Sequence, residues 1–95
     1  GVNVNHAEFE DFVFEIEPVN DFQAVLVTDN NDLETLTVKI EVRRGENGDR
    51  IADHLSDRIK TTFEISSRVE VLEIGTLARR FESSIKAPRF VDERS

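Results

Sequence analysis

The sequence predicts an α+β fold, a small two-layer sandwich with two helices on one face of an antiparallel or mixed sheet. Two observations carry this prediction: apolar and polar residues alternate in the middle of the chain, and a helical stripe of apolar residues follows. The 95 residues allow one core, since globular domains usually hold about 100 to 150 residues. We therefore expect one domain over residues 1–95, with the order strand, helix, strand, strand, helix, strand.

The first predicted elements are a short strand over residues 1–4 and a helix after it. Two cues favour the helix: Asn5 and Glu8 have the spacing of a capping box, and Pro18 lies where a helix must end. These cues are needed because the apolar residues of segment 9–16 fit both elements. They fit a strand by alternation (Phe12, Phe14, Ile16) and a helix by spacing (Phe9, Phe12, Val13, Ile16).

The next elements form a predicted hairpin. Phe22–Val27 is a compact apolar run, and Leu36–Arg43 alternates between apolar and polar residues, which indicates a strand with one buried face. Thr28–Asp32, between them, is a cluster of short polar side chains that favour turns.

A helix and a strand are predicted after the hairpin. Gly45–Gly48 interrupts the chain, and Asn47 or Asp49 can cap the helix that follows. Arg68–Ile74 is then predicted to be a strand that ends at Gly75. The apolar stripe of the helix consists of Ile51, Ala52, Leu55, Ile59, Thr62 and Phe63.

Charge is spread unevenly along the chain. The net charge of −8 combines −9 over residues 1–38, −1 over 39–74 and +2 over 75–95, where we expect no regular structure. Because an acidic surface repels phosphates, we expect no nucleic acid among the partners. The basic tail has two interpretations: a solvated terminus, or a loop that presents Lys86 to a phosphate or carboxylate.

Several further classes of protein are not expected. The sequence has neither an apolar run of the roughly 18 to 20 residues that a membrane span needs nor a leader of signal-peptide type, so we expect no membrane partner. It has no Cys, which is compatible with the cytoplasm, the location we expect. We expect no metal site, since His6 and His54 lack close partners and the acidic residues lack the spacing of a calcium loop.

Three segments, taken in order, carry a family resemblance. They are Gly1–Glu10, with a Gly-x-x-Val start; Val69–Leu77, which ends in Gly-Thr-Leu; and Lys86–Asp92, with a Lys-Ala-x-Arg start. Together they resemble the C-terminal domain of adenylate-forming acyl-CoA ligases, especially the phenylacetate-CoA ligase branch. The chain departs from the family pattern at Ala78, where Pro is usual, and at Ile85, where Gly is usual.

The resemblance implies a mobile C-terminal (lid) domain of a larger ligase, with residues 76–95 as the catalytic-lysine loop and tail. The full-length enzyme would use ATP to convert a small carboxylic acid, an aryl acid in this branch, to an acyl-adenylate, and would pass the acyl group to coenzyme A. Its cofactors would be ATP or AMP, coenzyme A and Mg²⁺. None of these would be tightly bound by the 95 residues alone, which would be inactive without the N-terminal adenylation domain of the same chain.

The resemblance also implies site residues. Lys86 would be the catalytic residue, holding the attacking carboxylate oxygen and the phosphate or ribose oxygens in the first step. Gly1, Val2, Asn3 and Arg89 would bind cofactor, the first three by lining the coenzyme A channel in the second step. The alternative is a stand-alone, non-catalytic module that binds a ligand or a partner, since small α+β folds host many functions.

Overall fold

The computed structural model describes residues 4–16, 18–83 and 89–93, and for 80–83 it describes the backbone alone. Within these residues the chain forms three helices and four strands. They are α1 (His6–Phe14), β1 (Val19–Thr28), β2 (Glu34–Val42), α2 (Gly48–Phe63), β3 (Ser66–Leu72), α3 (Thr76–Ser83) and β4 (Phe90–Asp92). The predicted succession of helix, strand, strand, helix and strand is confirmed, with strand ends that differ by at most three residues.

The four strands form one mixed sheet in the order β3-β2-β1-β4. β1 and β2 are the predicted antiparallel hairpin, while β3 lies parallel to β2 and β4 lies parallel to β1. The register pairs Phe22 with Ile40 and Val38 with Val69, so apolar side chains of three strands share one face. This architecture confirms the predicted α+β class.

Both α1 and α2 pack on this apolar face, as predicted. Phe9 of α1 is fully buried, and its ring centroid lies 5.9 Å from that of Phe22 on β1. The same ring lies 5.3 Å from Phe63 of α2 and 5.3 Å from Phe90 of β4. Burying one such side chain contributes about 1.5–3 kcal/mol to stability. Other buried members of the core are Val13, Val19, Ala24, Leu26, Leu36, Val38, Ile40, Ala52, Leu55, Ile59 and Ile65.

The helical interpretation of the N-terminal segment is confirmed. Oδ1 of Asn5 accepts a hydrogen bond from the backbone N–H of Glu8 at 3.0 Å, so Asn5 is the predicted N-cap. Phe14 lies off the buried stripe, is 40% exposed and packs against Phe22 with ring centroids 5.3 Å apart. The strand predicted over residues 1–4 is not seen at Val4, which belongs to no strand, and residues 1–3 lie outside the described ranges.

The turn between β1 and β2 is built on Asp29. Its Oδ1 accepts hydrogen bonds from the backbone N–H groups of Asn31 at 2.8 Å and Leu33 at 3.0 Å. Asp32 has a φ of 60°, a left-handed conformation that Asp tolerates better than most residues. The predicted turn is confirmed, and the Asp29 side chain together with backbone groups forms the hydrogen bonds that close it.

The helix α2 begins at one of its two predicted caps and packs closely on β3. Oδ1 of Asn47 accepts a hydrogen bond from the backbone N–H of Arg50 at 3.2 Å. A Cβ atom at Gly48 would lie 2.8 Å from Cγ1 of Val71, so the close approach of this helix to the edge strand favours glycine.

The prediction that residues 75–95 lack regular structure is wrong. They contain α3 and β4, and β4 extends the sheet beside β1. Leu77 of α3 is fully buried but lies outside the cluster that α1 and α2 cover. Periodicity could not predict this helix because it is short and is held by a distant polar contact, described below. None of the helices in the described ranges is long and apolar enough to cross a membrane.

Candidate functional site

The residues expected to act on substrate or cofactor fall into two groups. Gly1, Val2, Asn3 and Lys86 lie outside the described residues. Arg89 is described and directly precedes β4. The candidate site is therefore built from the described residues that hold α3 and Arg89 against the sheet.

Arg89 is fixed by contacts of both its side chain and its backbone. Its Nε donates a hydrogen bond to Oδ1 of Asp21 at 2.9 Å. Its guanidinium carbon lies 5.7 Å from the centroid of the Phe14 ring, within the range of a cation–π contact. Its carbonyl accepts a hydrogen bond from the N–H of Ala24 at 2.7 Å. These contacts define the position of Arg89 while 40% of its side chain stays exposed.

Glu41 is a buried carboxylate that holds the start of α3. It is 1% exposed and lies on the face of β2 opposite to Ile40, because side chains alternate along a strand. Its Oε1 accepts a hydrogen bond from the N–H of Gly75 at 2.8 Å, and its Oε2 accepts one from the N–H of Leu77 at 2.6 Å. The ion pairs in the described part of the chain do not include Glu41.

The sequence at the start of α3 explains why an acceptor from another strand is used. The first N–H groups of a helix have no partner within the helix, and the side chain of the N-cap residue usually accepts one of them. Gly75 precedes this helix with a φ of 95° and has no side chain. Glu41 supplies the missing acceptor, and its negative charge suits the positive end of the helix dipole. The hydroxyl of Thr76 donates to the carbonyl of Glu73 at 2.7 Å and closes the turn.

Asp21 and Glu41, which we call the carboxylate pair, are register partners on β1 and β2 beside a β-bulge at Asn20. Like charges opposite each other in a sheet are unfavourable. Here each carboxylate has its own partner, Arg89 for Asp21 and two backbone N–H groups for Glu41. The carboxylate pair thus anchors the chain on both sides of residues 84–88.

Neither member of the carboxylate pair can be identified from the sequence pattern. Alternation places Glu41 on the polar face of its strand, where a solvated side chain is the ordinary expectation. Its partners lie 34 and 36 residues further along the chain, and Arg89 lies 68 residues from Asp21. The one local hint is Gly75, because a helix that begins at glycine needs an acceptor from elsewhere.

The remaining described surface has a groove between α1 and α2. It has a volume of about 650 Å³, and Arg50, His54 and Arg58 lie along it. Glu15 and Glu46 also line the groove, so its two arginine charges are balanced. Within the described ranges, no three acidic or histidine side chains lie close enough together to hold a metal ion.

Two solved structures show the same fold. One is a domain of phenylacetate-coenzyme A ligase from Bacteroides vulgatus, with a TM-score of 0.74 and 20% identity over 100% of this chain and 89% of that one. The other is a 2-hydroxyisobutyryl-CoA ligase in complex with 2-HIB-AMP and CoA in the thioesterification state. It gives a TM-score of 0.77 and 17% identity over 99% of this chain and 20% of that one. At these identities the likeness shows the fold alone, and no curated protein sequence matches this chain.

The sequence matches a family model along nearly its whole length. The match covers residues 1–94 and so includes all three segments that carry the resemblance. It confirms the family that those segments suggest. The chain belongs to the AMP-binding enzyme C-terminal domain family.

Proposed function

We propose that the full-length protein is a carboxylate-coenzyme A ligase and that this chain is its mobile C-terminal domain. In the first step, a carboxylate oxygen attacks the α-phosphorus of ATP, the acyl-adenylate forms and pyrophosphate leaves. In the second step, the thiol sulfur of coenzyme A attacks the acyl carbon and loses its proton, and AMP leaves. The proposed acid is small, and an aryl acid is the first candidate.

The family match over residues 1–94 is the observation that carries this proposal. The geometry at the start of α3 supports it. Gly75, Thr76 and Leu77 resemble the turn before the catalytic-lysine loop of the family, and the backbone N–H groups of Gly75 and Leu77 are held by Glu41. The proposed loop and tail, residues 76–95, therefore begin at a fixed point on the sheet.

Lys86 is the proposed catalytic residue of the first step. Its ammonium group is compact and lies on a flexible stem, which suits it to hold the attacking carboxylate oxygen beside the α-phosphate. Phosphoryl and nucleotidyl transfer depend mainly on positioning and on stabilising developing negative charge. One group of this kind typically contributes about 10² to 10³ in rate.

Gly1, Val2, Asn3 and Arg89 are the proposed contributors to cofactor binding. The geometry of Arg89 supports its part: the side chain is anchored on Asp21 yet 40% exposed, so a phosphate of AMP or coenzyme A can approach it. Mg²⁺ is proposed to arrive on the phosphates of ATP, because this ion is usually bound through one or two carboxylates and substrate phosphates.

The proposed partner of this chain is the N-terminal adenylation domain of the same protein, in the cytoplasm. That domain would contribute most of the pocket for the acid and the nucleotide. The 95 residues alone are proposed to be inactive and to bind none of the cofactors tightly.

The test is pyrophosphate exchange into ATP by the full-length protein, dependent on a carboxylic acid. A panel of aryl and aliphatic acids, beginning with phenylacetate, identifies the acid that gives the fastest exchange. Lys86→Ala is expected to lower this exchange by about 10² to 10³. Lys60→Ala is the matched control, since Lys60 is an exposed lysine near the end of α2, and it should leave exchange unchanged.

Two results would count against the proposal. Near wild-type exchange in Lys86→Ala would remove the proposed role of Lys86. The absence of exchange with every acid in the wild-type protein would remove the ligase activity and favour the non-catalytic binding module.

A further inference from the structure

We propose that β3 is a docking edge for β3 of a second copy of this chain, and that the two strands pair in antiparallel fashion about Val69. The contact joins two sheets into one sheet of eight strands, four from each copy. This inference goes beyond the proposed function and does not depend on it, because it concerns how two copies associate and not what they catalyse.

The strand β3 forms an open edge of the sheet. The sheet ends at β3 on one side and at β4 on the other, but β4 pairs over three residues only, whereas β3 has seven, Ser66–Leu72, and none of them is buried. Alternate residues of a parallel pair direct their N–H and C=O groups away from the neighbouring strand. Among the described residues, no backbone hydrogen bond reaches these outer groups of β3. Such an edge is a template for a further strand.

The helix α2 leaves this edge accessible. It contacts β3 on the helix-covered face, where the hydroxyl of Ser67 donates to that of Ser56 at 3.3 Å and Gly48 lies against Val71. Val71 remains 39% exposed in spite of this contact. The contacts with α2 therefore cover one face of β3 and not its outer edge.

Two charges on the other face of β3 select the register. Arg68 and Glu70 lie two residues apart, so they share that face, and Nε of Arg68 is 3.4 Å from Oε1 of Glu70. If two copies pair about a twofold axis at Val69, Arg68 of each copy lies opposite Glu70 of the other. A centre at Arg68 or at Glu70 would instead place like charges opposite each other, which is unfavourable.

The length of β3 selects the same register. Val69 is the middle residue of the strand, so this centre places Ser66 opposite Leu72 and Ser67 opposite Val71 of the second copy, and all seven residues are paired. Any other centre leaves one end of the strand without a strand partner. The centre also places Val69 opposite itself, and β-branched residues pack well across strands. Charge and length thus agree on one register.

The pattern fits a second copy because the edge is complementary to itself. A surface that matches itself about a twofold axis gives a closed dimer. The side chains of Arg68 and Glu70 are 80% and 37% exposed, so the ion pair within one chain is weak and either partner can be exchanged for one on the second copy.

The test is the self-association of the full-length protein, measured by sedimentation equilibrium between about 1 and 500 µM. Because one strand edge is a small contact, we expect a reversible dimer with a Kd on the order of 10 to 100 µM. Arg68→Glu and Glu70→Arg each place like charges opposite each other twice in the dimer, so each should raise the Kd by about tenfold or more. Lys60→Glu is the matched control, since it makes the same change of charge at an exposed residue of α2, and it should leave the Kd unchanged.

A mixture of the two charge variants separates contact between chains from effects within one chain. Neither variant can form the ion pair within its own strand. In an equimolar mixture, the acidic strand of one variant meets the basic strand of the other, so the Kd should return to within about threefold of the wild-type value.

Three results would overturn the inference. A wild-type protein that is monomeric over the whole range would mean that water or another part of the full-length chain covers this edge. An unchanged Kd in both charge variants would mean that the copies associate through another surface. A mixture that associates no better than either variant alone would exclude the pairing of Arg68 with Glu70.

A crosslink covers failure of a charge variant to fold. Val69→Cys keeps both charges, and the Cα atoms of opposite residues in an antiparallel pair lie about 4.5–5.5 Å apart, within the range of a disulfide. With oxidised glutathione, this variant should form covalent dimers about tenfold faster than Leu33→Cys, at an exposed position in the turn between β1 and β2. The wild-type protein gives the baseline for cysteines elsewhere in the full-length chain. Equal rates in the two variants, or no covalent dimer, would overturn the pairing about Val69.

Discussion

The face of the sheet that α1 and α2 cover is packed with apolar side chains, whereas the start of α3 meets the opposite face through the carboxylate of Glu41. On the first face, Phe9 alone contacts four other aromatic rings, so many side-chain contacts together stabilise the packing of the helices on the sheet. On the second face, two hydrogen bonds to one residue hold the start of α3, beside the single buried side chain of Leu77. Apolar packing is broad and non-directional, while the polar anchor is narrow and directional.

The largest expected effect belongs to the apolar face. Phe9→Ala should lower the free energy of unfolding by about 3–5 kcal/mol, because the side chain is fully buried and its removal leaves a cavity. Phe14→Ala, at a ring that is 40% exposed, should cost only about 1–2 kcal/mol. Urea denaturation of both variants measures the difference, and similar costs would show that Phe9 is not central to the core.

The next effect belongs to the polar anchor. Glu41→Ala leaves the N–H groups of Gly75 and Leu77 without their acceptor, which should cost about 2–3 kcal/mol in the free energy of unfolding. Urea denaturation again measures the change, with Glu70→Ala as a control that should cost less than about 0.5 kcal/mol. An unchanged free energy of unfolding in Glu41→Ala would show that water replaces the carboxylate as acceptor at no cost. The contrast between the two faces would then disappear.

A smaller effect is expected for a local cap on the helix-covered face. Asn47→Ala removes the acceptor for the N–H of Arg50 and should cost about 1 kcal/mol. Asn47→Asp, which keeps an acceptor oxygen, should cost much less. Thermal and urea unfolding of the two Asn47 variants measure how much a local cap contributes to the free energy of unfolding. The contribution of the distant cap by Glu41 can be compared with that value.

The smallest effect is expected at the other member of the carboxylate pair. Asp21→Asn should cost about 0.5 kcal/mol, because the Arg89 side chain is 40% exposed and solvent screens the ion pair. The cost should shrink further as salt is raised from low to high concentration. A cost as large as that of Glu41→Ala, independent of salt, would show that both anchors are equally strong.

The two faces also differ in how far the sequence predicts them. The alternation through β2, the stripe of α2 and the caps at Asn5 and Asn47 are local patterns. They are confirmed except at two residues: Thr62 of the predicted stripe is exposed, and Glu41 on the predicted polar face of β2 is buried. Each depends on residues only a few positions apart, so the spacing in the sequence carries the information. The helix-covered face could therefore be predicted almost completely.

The polar face could not be predicted in the same way. The contacts of Glu41 and Asp21 span between 34 and 68 residues, and no period in the sequence relates their partners. A helix as short as α3 depends on such tertiary contacts, so its presence could not be inferred from residues 75–95 alone. The basic tail and the family resemblance together point to Lys86, and the resemblance alone points to Arg89. Neither cue predicts the neighbours of these residues in the fold.

Hydrogen exchange at single amides tests the central contrast most directly. In Glu41→Gln, the amides of Gly75 and Leu77 should lose protection by a factor at least tenfold greater than the amides of Leu55 and Ile59 in α2, which corresponds to about 1.4 kcal/mol of local stability. That result would show that the carboxylate holds α3 independently of the apolar core. An equal loss of protection at all four amides, or no loss at Gly75 and Leu77, would contradict the account.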